Sequence, residues 1–309
     1  MATTRVVTAT RPTTTAPEPA APTKQASAGL LASAGRRLRH DYLTLAAASL
    51  LVLYAGLAVG ADVVASSVVH TTPTTINMRN TLSPPGPGQW LGTDDFGRDQ
   101  LVRLLYGARV SLTIGLVAAA VNLTIGVSLG ALAGYYGRRV DDVVVWIIST
   151  LRAIPTLFLL ILVGALFRPS AEGLAILIGV ISWPGVARVV RGQVLAVRQR
   201  DYILAARSIG ASDWWLLPRH VVPNVLSIML VILGQDIGAV ILTESALSYL
   251  GLGVQPPSAS WGNMLSNAQR FLSSALWLVV APGACIFSTV LALYLVADGL
   301  RDALDPRLK

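Results

Sequence analysis

Long apolar runs constrain this chain more than any other feature of its sequence. Each approaches or exceeds the ~20 residues that an α-helix needs to cross a hydrocarbon core of about 30 Å. Apolar residues make up 53% of the 309 residues and charged residues only 13%, against roughly a quarter charged in soluble domains. The sequence therefore predicts an all-α integral membrane protein with six transmembrane helices. The predicted spans are Leu43 to Ala61, Val110 to Tyr135, Val143 to Phe167, Leu174 to Val190, Val225 to Tyr249 and Ala275 to Ala297.

The fourth run is the least regular of the six. Trp183, Pro184 and Gly185 interrupt it, and Arg188 and Arg191 lie at its end. Proline within lipid is tolerated only where neighbouring groups satisfy the carbonyls that it frees. We therefore expect the bounds of this span to be the least exact.

The polar parts of the sequence divide the chain into four segments. Residues 1–35 are rich in Thr, Pro and Ala and lack a periodic apolar face, which predicts a disordered cytoplasmic tail. Residues 36–62 hold a basic flank and the first span, which is longer than the apolar core of a signal peptide and is interpreted as uncleaved. Residues 63–109 form a polar extracytoplasmic segment, and residues 110–309 hold the other five spans.

Basic residues gather beside the apolar runs on one side of the predicted membrane. The positive-inside rule places that side, both termini and the loop 201–224 in the cytoplasm of a multi-pass cell-membrane protein. The same distribution explains the net charge of +8 without a nucleic-acid partner, because the basic residues do not follow one helix face with interleaved aromatics. The inner residues are Arg36, Arg37, Arg39, Arg138, Arg139, Arg191, Arg198, Arg200, Arg207, Arg219, Arg301, Arg307 and Lys309.

The polar loop between the fourth and fifth runs carries two helix signals. Asp201 to Ile209 can form a short helix that ends at Gly210, the residue that most easily takes the left-handed conformation. Ser212 can then start a second helix, with its hydroxyl accepting hydrogen bonds from the first amides. Asp213 lies in the first turn, where the helix dipole favours an anion.

Pro223 is expected to end this loop before the next span begins at Asn224. Trp214 and Trp215 give the unit large apolar faces, and its arginines give it a basic rim. Such a knob can dock on a partner protein, or it can be an amphipathic segment on the membrane surface. The residue pattern alone leaves both interpretations open.

The loop resembles the EAA loop of importer permeases in the ATP-binding cassette superfamily, in which a coupling helix docks on a cytoplasmic ATPase. Leu204 stands where that family often has Glu, so the resemblance implies no ionic contact from this position. Segments from Leu91 (LGTDDFGRDQLVRLLYGARVSL), Glu244 (ESALSYLGLGVQPPSASWGNML) and Asp298 (DGLRDALDPRLK) resemble the C-type permease subunit of dipeptide and oligopeptide importers. In the loop, the matching residues are Ala205, Ala206, Gly210, Ala211, Ser212, Asp213, Trp214, Arg219, His220, Pro223 and Asn224.

The resemblance implies a type I importer permease fold that forms half of a translocation path for dipeptides or oligopeptides. It also implies three kinds of partner: a second permease subunit of a different chain, two nucleotide-binding ATPase subunits and an extracytoplasmic substrate-binding protein. The sequence contains no G-x-x-x-x-G-K-[ST] phosphate loop, so ATP and magnesium are expected in the partner subunits and the chain is not expected to be an enzyme. Relatives of these importers carry nickel, modified peptides or glutathione, which leaves the cargo open.

Two acidic residues lie in the fifth span, where burial of a charge is costly and suggests a function. Counted from Asn224, Asp236 lies ~18 Å and Glu244 ~30 Å along the helix. Asp236 is a candidate for the substrate path, near a peptide's amino group, or for an interhelical contact. Glu244 is a candidate for the same path or for a structural contact near the outer gate. A proton-coupled secondary transporter with Asp236 as proton carrier is the alternative function, although the sequence shows no internal repeat.

Two further patterns bear on the structure. Gly126, Gly130 and Gly134 lie four residues apart, which predicts a helix face that a second backbone can approach closely. In the extracytoplasmic segment, Asp94, Asp95 and Asp99 are close enough to suggest a calcium-like site, but the full ligand pattern of a calcium loop is missing. A solvated turn or a contact with the binding protein is the other interpretation.

Overall fold

The computed structural model describes Gly35 and residues 38–304. The predicted disordered tail lies outside these residues apart from Gly35, as do Arg36, Arg37 and residues 305–309. Within the described part, π-helical turns lie at Ala65–Val69 and Leu217–Val221, and 3₁₀ turns lie at Met78–Asn80 and Gln269–Phe271. The α-helices are α1 (Tyr42–Val59), α2 (Ala61–Val64), α3 (Gln100–Tyr136), α4 (Arg138–Ala153), α5 (Thr156–Phe167), α6 (Ala171–Val197), α7 (Asp201–Ser208), α8 (Asp213–Leu216), α9 (Val222–Tyr249), α10 (Trp261–Ala268) and α11 (Trp277–Leu304).

Five described helices are long and apolar enough to cross a membrane, namely α1, α3, α6, α9 and α11. The bent pair of α4 and α5 makes a sixth span when it is counted as one. These spans correspond in order to the six predicted runs. The predicted all-α membrane architecture is therefore confirmed.

Helix α3 begins at Gln100, well before the predicted start at Val110. The side chain of Asp99 accepts a hydrogen bond from an amide of the first turn at 2.9 Å and so caps the helix. Arg103 is only 3% exposed, and its Nε lies 3.4 Å from Asp94 Oδ2. The helix extends beyond the start of the predicted span because a carboxylate compensates this arginine, so the charge does not interrupt the helix.

The third predicted span, Val143–Phe167, is not one straight helix. Helix α4 ends at Ala153, α5 begins at Thr156, and the two helices are bent by 77°. Pro155 explains the break, because a proline disfavours the helical conformation of the residue before it. Ile154 accordingly has extended angles, with φ of −97° and ψ of 126°.

The fourth predicted span, Leu174–Val190, is longer and more regular than expected. Helix α6 continues past both predicted ends and contains Pro184 without a break. The side chain of Ser170 caps its first turn. Near its other end, Arg191 forms a salt bridge with Asp141 of α4, so the helix can continue past the basic residues that marked the predicted end.

The glycine stripe of α3 lies against α6. A Cβ atom at Gly126 would lie 2.7 Å from Cβ of Val186, and one at Gly130 would lie 2.5 Å from the carbonyl oxygen of Ala187. At Gly134 a Cβ would also come closer than 3.0 Å to its neighbours. The predicted close packing face is confirmed, because the present helix separation leaves no room for side chains at these positions.

Candidate functional site

The predicted knob, Asp201–Asn224, starts with a short helix and a glycine turn. Helix α7 is followed by Gly210, whose φ is +92°. This left-handed conformation lets the amide of Ala211 donate to the carbonyl of Ala206 at 3.0 Å, which satisfies a carbonyl at the end of the helix. The predicted glycine hinge is confirmed.

Ser212 precedes helix α8, but its hydroxyl does not cap the helix. Its carbonyl instead accepts hydrogen bonds from the amides of Trp215 and Leu216 at 3.1 and 3.0 Å. Ser212 is exposed, so water can solvate the free amides of the first turn. The predicted helix start is right, and the predicted side-chain cap was wrong.

Pro223 does not end the knob. Helix α8 continues through the π-helical turn Leu217–Val221 into α9, so the chain is helical from Asp213 to Tyr249. Pro223 lies within the first two positions of α9, where the wider π-helical turn before it accommodates a residue without an N–H group. The second half of the knob is therefore continuous with a spanning helix and is not a separate unit.

One side of the knob is buried against the C-terminal ends of α3 and α6. Ile203 and Leu216 have no exposed surface, and Ala206 and Ala211 pack beside them. Together they extend an apolar cluster from the spanning helices into the knob. The buried members from those helices are Ala131, Tyr135, Val186, Val190, Val194, Val197, Val225 and Met229.

Asp213 forms the polar connection between the knob and α3. Its Oδ1 accepts a hydrogen bond from the hydroxyl of Tyr135 at 2.8 Å and another from Nη2 of Arg207 at 3.2 Å. The guanidinium of Arg207 also lies 5.1 Å from the centre of the Tyr135 ring. The first turn of α8 is thus connected to α3 by a hydrogen bond and to α9 by the continuous helix.

The opposite side of the knob exposes large apolar side chains. Ile209 is 88% exposed and Trp214 is 80% exposed, while Leu204 and Trp215 are about half exposed. The guanidinium of Arg219 lies 5.7 Å from the Trp215 ring, at the rim of this surface. Leu204, where a Glu is common in the resembling family, therefore adds apolar area where the Glu would place a charge.

The residues predicted to dock or couple thus have different surroundings. Ala206 and Ala211 belong to the buried base, Gly210 forms the turn, and Asp213 connects the knob to α3. Their role in docking stays a prediction. The exposed members of the predicted set are Ala205, Gly210, Ser212, Trp214, Arg219 and Pro223.

The sequence did not reveal which residues brace the knob. Nη1 of Arg198 donates to the carbonyls of Gly134 and Tyr135, both at 3.0 Å. Tyr135 itself is almost fully buried. A tyrosine and an arginine at the ends of two predicted helices gave the only signal, and neither spacing nor composition pairs them.

Asp236 lies on α9 and faces α3 and α6. Its Oδ2 accepts a hydrogen bond from Nδ2 of Asn122 at 2.6 Å. The same residue lines a cavity of about 290 Å³ together with Ser182, Gln235 and Tyr294. The structure therefore combines the two predicted alternatives, an interhelical contact and a cavity-lining position, and the contact with substrate stays a prediction.

Glu244 is completely buried in a cluster of hydroxyl groups. It accepts hydrogen bonds from Ser248 at 2.7 Å and from Ser111 at 3.4 Å. Ser111 also accepts from the amide of Trp261 at 3.2 Å. Since these contacts join α3, α9 and α10, they favour the predicted structural contact over a position on the substrate path.

The three carboxylates Asp94, Asp95 and Asp99 have different contacts. Asp94 accepts hydrogen bonds from the amide and Nε of Arg98, at 2.9 and 2.7 Å, and Asp99 caps α3. Asp95 is the most exposed of the three, and burial raises its pKa and that of Asp99. A carboxylate already bound to guanidinium groups is a poor calcium ligand, so the geometry favours a structured turn over a calcium-like site.

Comparisons with known proteins agree with this geometry. Residues 126–309 match the family described as binding-protein-dependent transport system inner membrane component. The dipeptide transport system permease protein DppC of Alkalihalophilus pseudofirmus is 37% identical over 274 residues, which cover 89% of each chain. The oligopeptide permease protein OppC of Bacillus subtilis is 38% identical, with 88% of each chain covered. The glutathione permease protein GsiD of Pectobacterium atrosepticum is 43% identical, with 73% of this chain and 75% of GsiD covered.

Solved structures show the same fold. A chain of the MetNI methionine ABC transporter, in an inward-facing form, superposes with a TM-score of 0.54 at 16% identity. The match covers 65% of this chain and 95% of that one. The type I permease fold and the resemblance to C-type peptide permeases are thus confirmed. The chain is a multi-pass membrane protein that belongs to the family of binding-protein-dependent transport system inner membrane components.

Proposed function

We propose that this chain is a permease subunit of an ATP-driven importer of dipeptides or oligopeptides. It forms half of the translocation path and couples that path to ATPase subunits. One observation carries the proposal: the exposed Trp214 lies on a helix that continues without a break into the span containing Asp236. The proposed peptide cargo is taken from the names of the relatives.

The partners in this proposal are those that the family of importer permeases implies. Two nucleotide-binding ATPase subunits hold ATP and magnesium, and the knob of this chain docks on one of them, so the chain itself is not an enzyme. A second permease subunit, of a different chain, completes the path, and an extracytoplasmic substrate-binding protein delivers the cargo. Both termini lie in the cytoplasm, on the side of the knob.

Coupling works through the rigid connections of the knob. When the ATPase pair closes, a load on Trp214 passes directly along α8 and the π-helical turn into α9. The Tyr135 to Asp213 hydrogen bond passes the same load to α3, and close glycine packing carries α6 with it. The cytoplasmic ends of three spans then move as one body, which is the two-state packing change that alternating access requires.

The test is transport by the reconstituted complex. The chain is purified with its permease partner, ATPase subunits and binding protein, and uptake of labelled di- and oligopeptides into proteoliposomes is measured. We expect uptake that requires ATP and the binding protein and that an uncoupler does not abolish.

Two results would contradict the proposal. Uptake that survives ATP depletion but not an uncoupler would instead indicate a proton-coupled secondary transporter. Failure to co-purify with any nucleotide-binding subunit would remove the coupling role. Uptake of nickel or glutathione in place of unmodified peptides would keep the transporter class and change the cargo.

A further inference from the structure

Arg152 is a positive charge in the split span that none of the contacts described above uses. It lies in the last turn of α4, ~21 Å along the helix from Arg138, and next to the break at Pro155. Within the described part of the chain, its guanidinium forms no hydrogen bond or ion pair. A basic residue inside a spanning segment is costly to keep and indicates a functional site.

Arg152 lines a cavity of about 230 Å³ at the break between α4 and α5. Thr156, Ser182 and Gly185 contribute to the same wall. The first turn of α5 also begins here and has no side-chain cap, so its amide groups add to the positive potential that Arg152 creates. The chemistry of this cavity suits an anionic group with hydrogen-bond acceptors, such as a carboxylate.

The cavity of Asp236 has the opposite character. One carboxylate oxygen is bound by Asn122, and the other has no protein donor among the described residues. No salt bridge in the described part of the chain neutralises Asp236, whose neighbours in the cavity are polar or apolar and uncharged. This cavity therefore suits a cationic group such as an ammonium.

The two cavities adjoin along one face of α6. Ser182 and Gly185 line both of them. Nη1 of Arg152 lies 3.9 Å from the position that a Cβ atom of Gly185 would occupy, so the guanidinium reaches the shared wall. An unpaired positive charge and an unpaired negative charge thus line two adjoining cavities that share the wall formed by Ser182 and Gly185.

We infer that these two cavities bind the two termini of a zwitterionic peptide, with Arg152 facing its α-carboxylate and Asp236 facing its α-ammonium group. The inference rests on the proposed function and narrows it to peptides whose termini are both free. Each charge gains its missing partner only while such a peptide is in the path. Charge-assisted hydrogen bonds of this kind are the strong ones, and they select the cargo inside the membrane as well as at the binding protein.

The experiment compares Arg152→Gln and Asp236→Asn with wild type in the reconstituted complex. Uptake is measured for an unmodified tripeptide, its C-terminal amide and its N-acetyl form. For each peptide, uptake by the variant is divided by uptake by wild type, so that the preference of the binding protein among the three peptides cancels. We expect Arg152→Gln to lower uptake of the free peptide by about tenfold and to leave the amide unchanged. Asp236→Asn should lower uptake of the free peptide and leave the acetylated form unchanged.

Two kinds of control separate the expected effect from misfolding and from poor acceptance of the modified peptides by the wild-type complex. Arg139→Gln and Asp142→Asn alter exposed charges of α4 and should transport like wild type. Arg152→Lys keeps the charge and should restore uptake of the free peptide, which can be measured even when the wild-type complex does not accept the amide.

Two outcomes overturn the inference. If Arg152→Gln and Asp236→Asn both take up the free peptide at the wild-type rate, neither residue contacts a peptide terminus. An equal loss with free and modified peptides, without rescue by Arg152→Lys, would indicate a structural role. Neither outcome contradicts the proposed function as long as the wild-type complex imports peptides. A wild-type complex that imports no peptide would refute the proposed function itself.

Discussion

The end of the molecule that carries the knob and the opposite end treat polar and apolar groups in different ways. The knob buries Ile203 and Leu216 and leaves Ile209 and Trp214 exposed. At the opposite end, Asp94 is bound by Arg98 and Arg103, and Glu244 is enclosed by hydroxyl groups. That end pairs most of its buried polar groups with one another, although Nη1 of Arg103 forms no hydrogen bond among the described residues, whereas the knob exposes an apolar surface.

This difference predicts that one end contributes mainly to the stability of the fold and the knob mainly to coupling. A substitution in a closed polar cluster leaves a buried group without its partner and is felt by the whole fold. A substitution in the knob mostly changes how an outside load reaches the spans. We therefore expect variants at the two ends to fail in different assays.

The largest effect is expected from Asp213→Arg. This change removes the acceptor for Tyr135 and places a second guanidinium beside Arg207, so the polar connection between the knob and α3 is lost while the apolar packing remains. Substrate-stimulated ATPase activity of the complex should be lost, while the thermal stability of the purified permease changes little because Asp213 is partly exposed. Stimulated ATPase activity at the wild-type level would contradict the proposed transmission through this contact.

A second substitution at the knob has an internal control. Gly210→Val forces a β-branched residue into a φ of +92°, which costs about 1–3 kcal/mol locally and should also abolish stimulation. Gly192→Val introduces the same side chain on α6, where φ is ordinary and no atom lies within 4 Å. Equal loss in both variants would mean that the glycine turn has no special role.

The next effect concerns stability at the end opposite the knob. Asp94→Asn removes the carboxylate that faces Arg103, which is 3% exposed and lies 3.4 Å from it. Leaving a buried guanidinium uncompensated should lower the free energy of unfolding by about 3 kcal/mol. Thermal unfolding of the purified permease measures this loss, and ATPase stimulation per folded complex should persist. An unchanged unfolding midpoint would show that the cluster is not closed.

Local signals in the sequence predicted the local features of both ends. Gly210 was recognised because a left-handed turn after a helix favours glycine, and the spans were recognised by their apolar length. The stripe of Gly126, Gly130 and Gly134 predicted a close helix contact without naming its partner. In each case the cause lies within a few residues of the feature.

The remaining features depend on contacts between distant parts of the chain. Asn122 and Asp236 are separated by 114 residues, and Tyr135 and Asp213 by 78, so no local pattern pairs them. The break at Pro155 was overlooked because apolar residues continue on both sides, and hydropathy does not register a bend. A role for Arg152 could be inferred only from the fold, which places it beside Gly185.

The smallest effect tests whether burial or ion pairing dominates at Asp95, at the end opposite the knob. Asp95 is more exposed than Asp94, yet burial, followed by the nearby charge of Asp94, raises its pKa above the ordinary 3.8. Above the raised pKa, the ionised carboxyl costs the folded state stability; below 3.8 the group is neutral in both folded and unfolded chains, and the cost disappears. Wild type should therefore gain stability relative to Asp95→Asn as the pH falls through the raised pKa.

The difference in thermal midpoint between Asp95→Asn and wild type checks this prediction across a pH series. At neutral pH the variant should be slightly the more stable of the two, and the gap should close in acid. A variant that is less stable at neutral pH and recovers in acid would show that Arg98, 3.9 Å away, outweighs burial. Asp95 would then belong to the same ion-paired cluster as Asp94, Arg98 and Arg103.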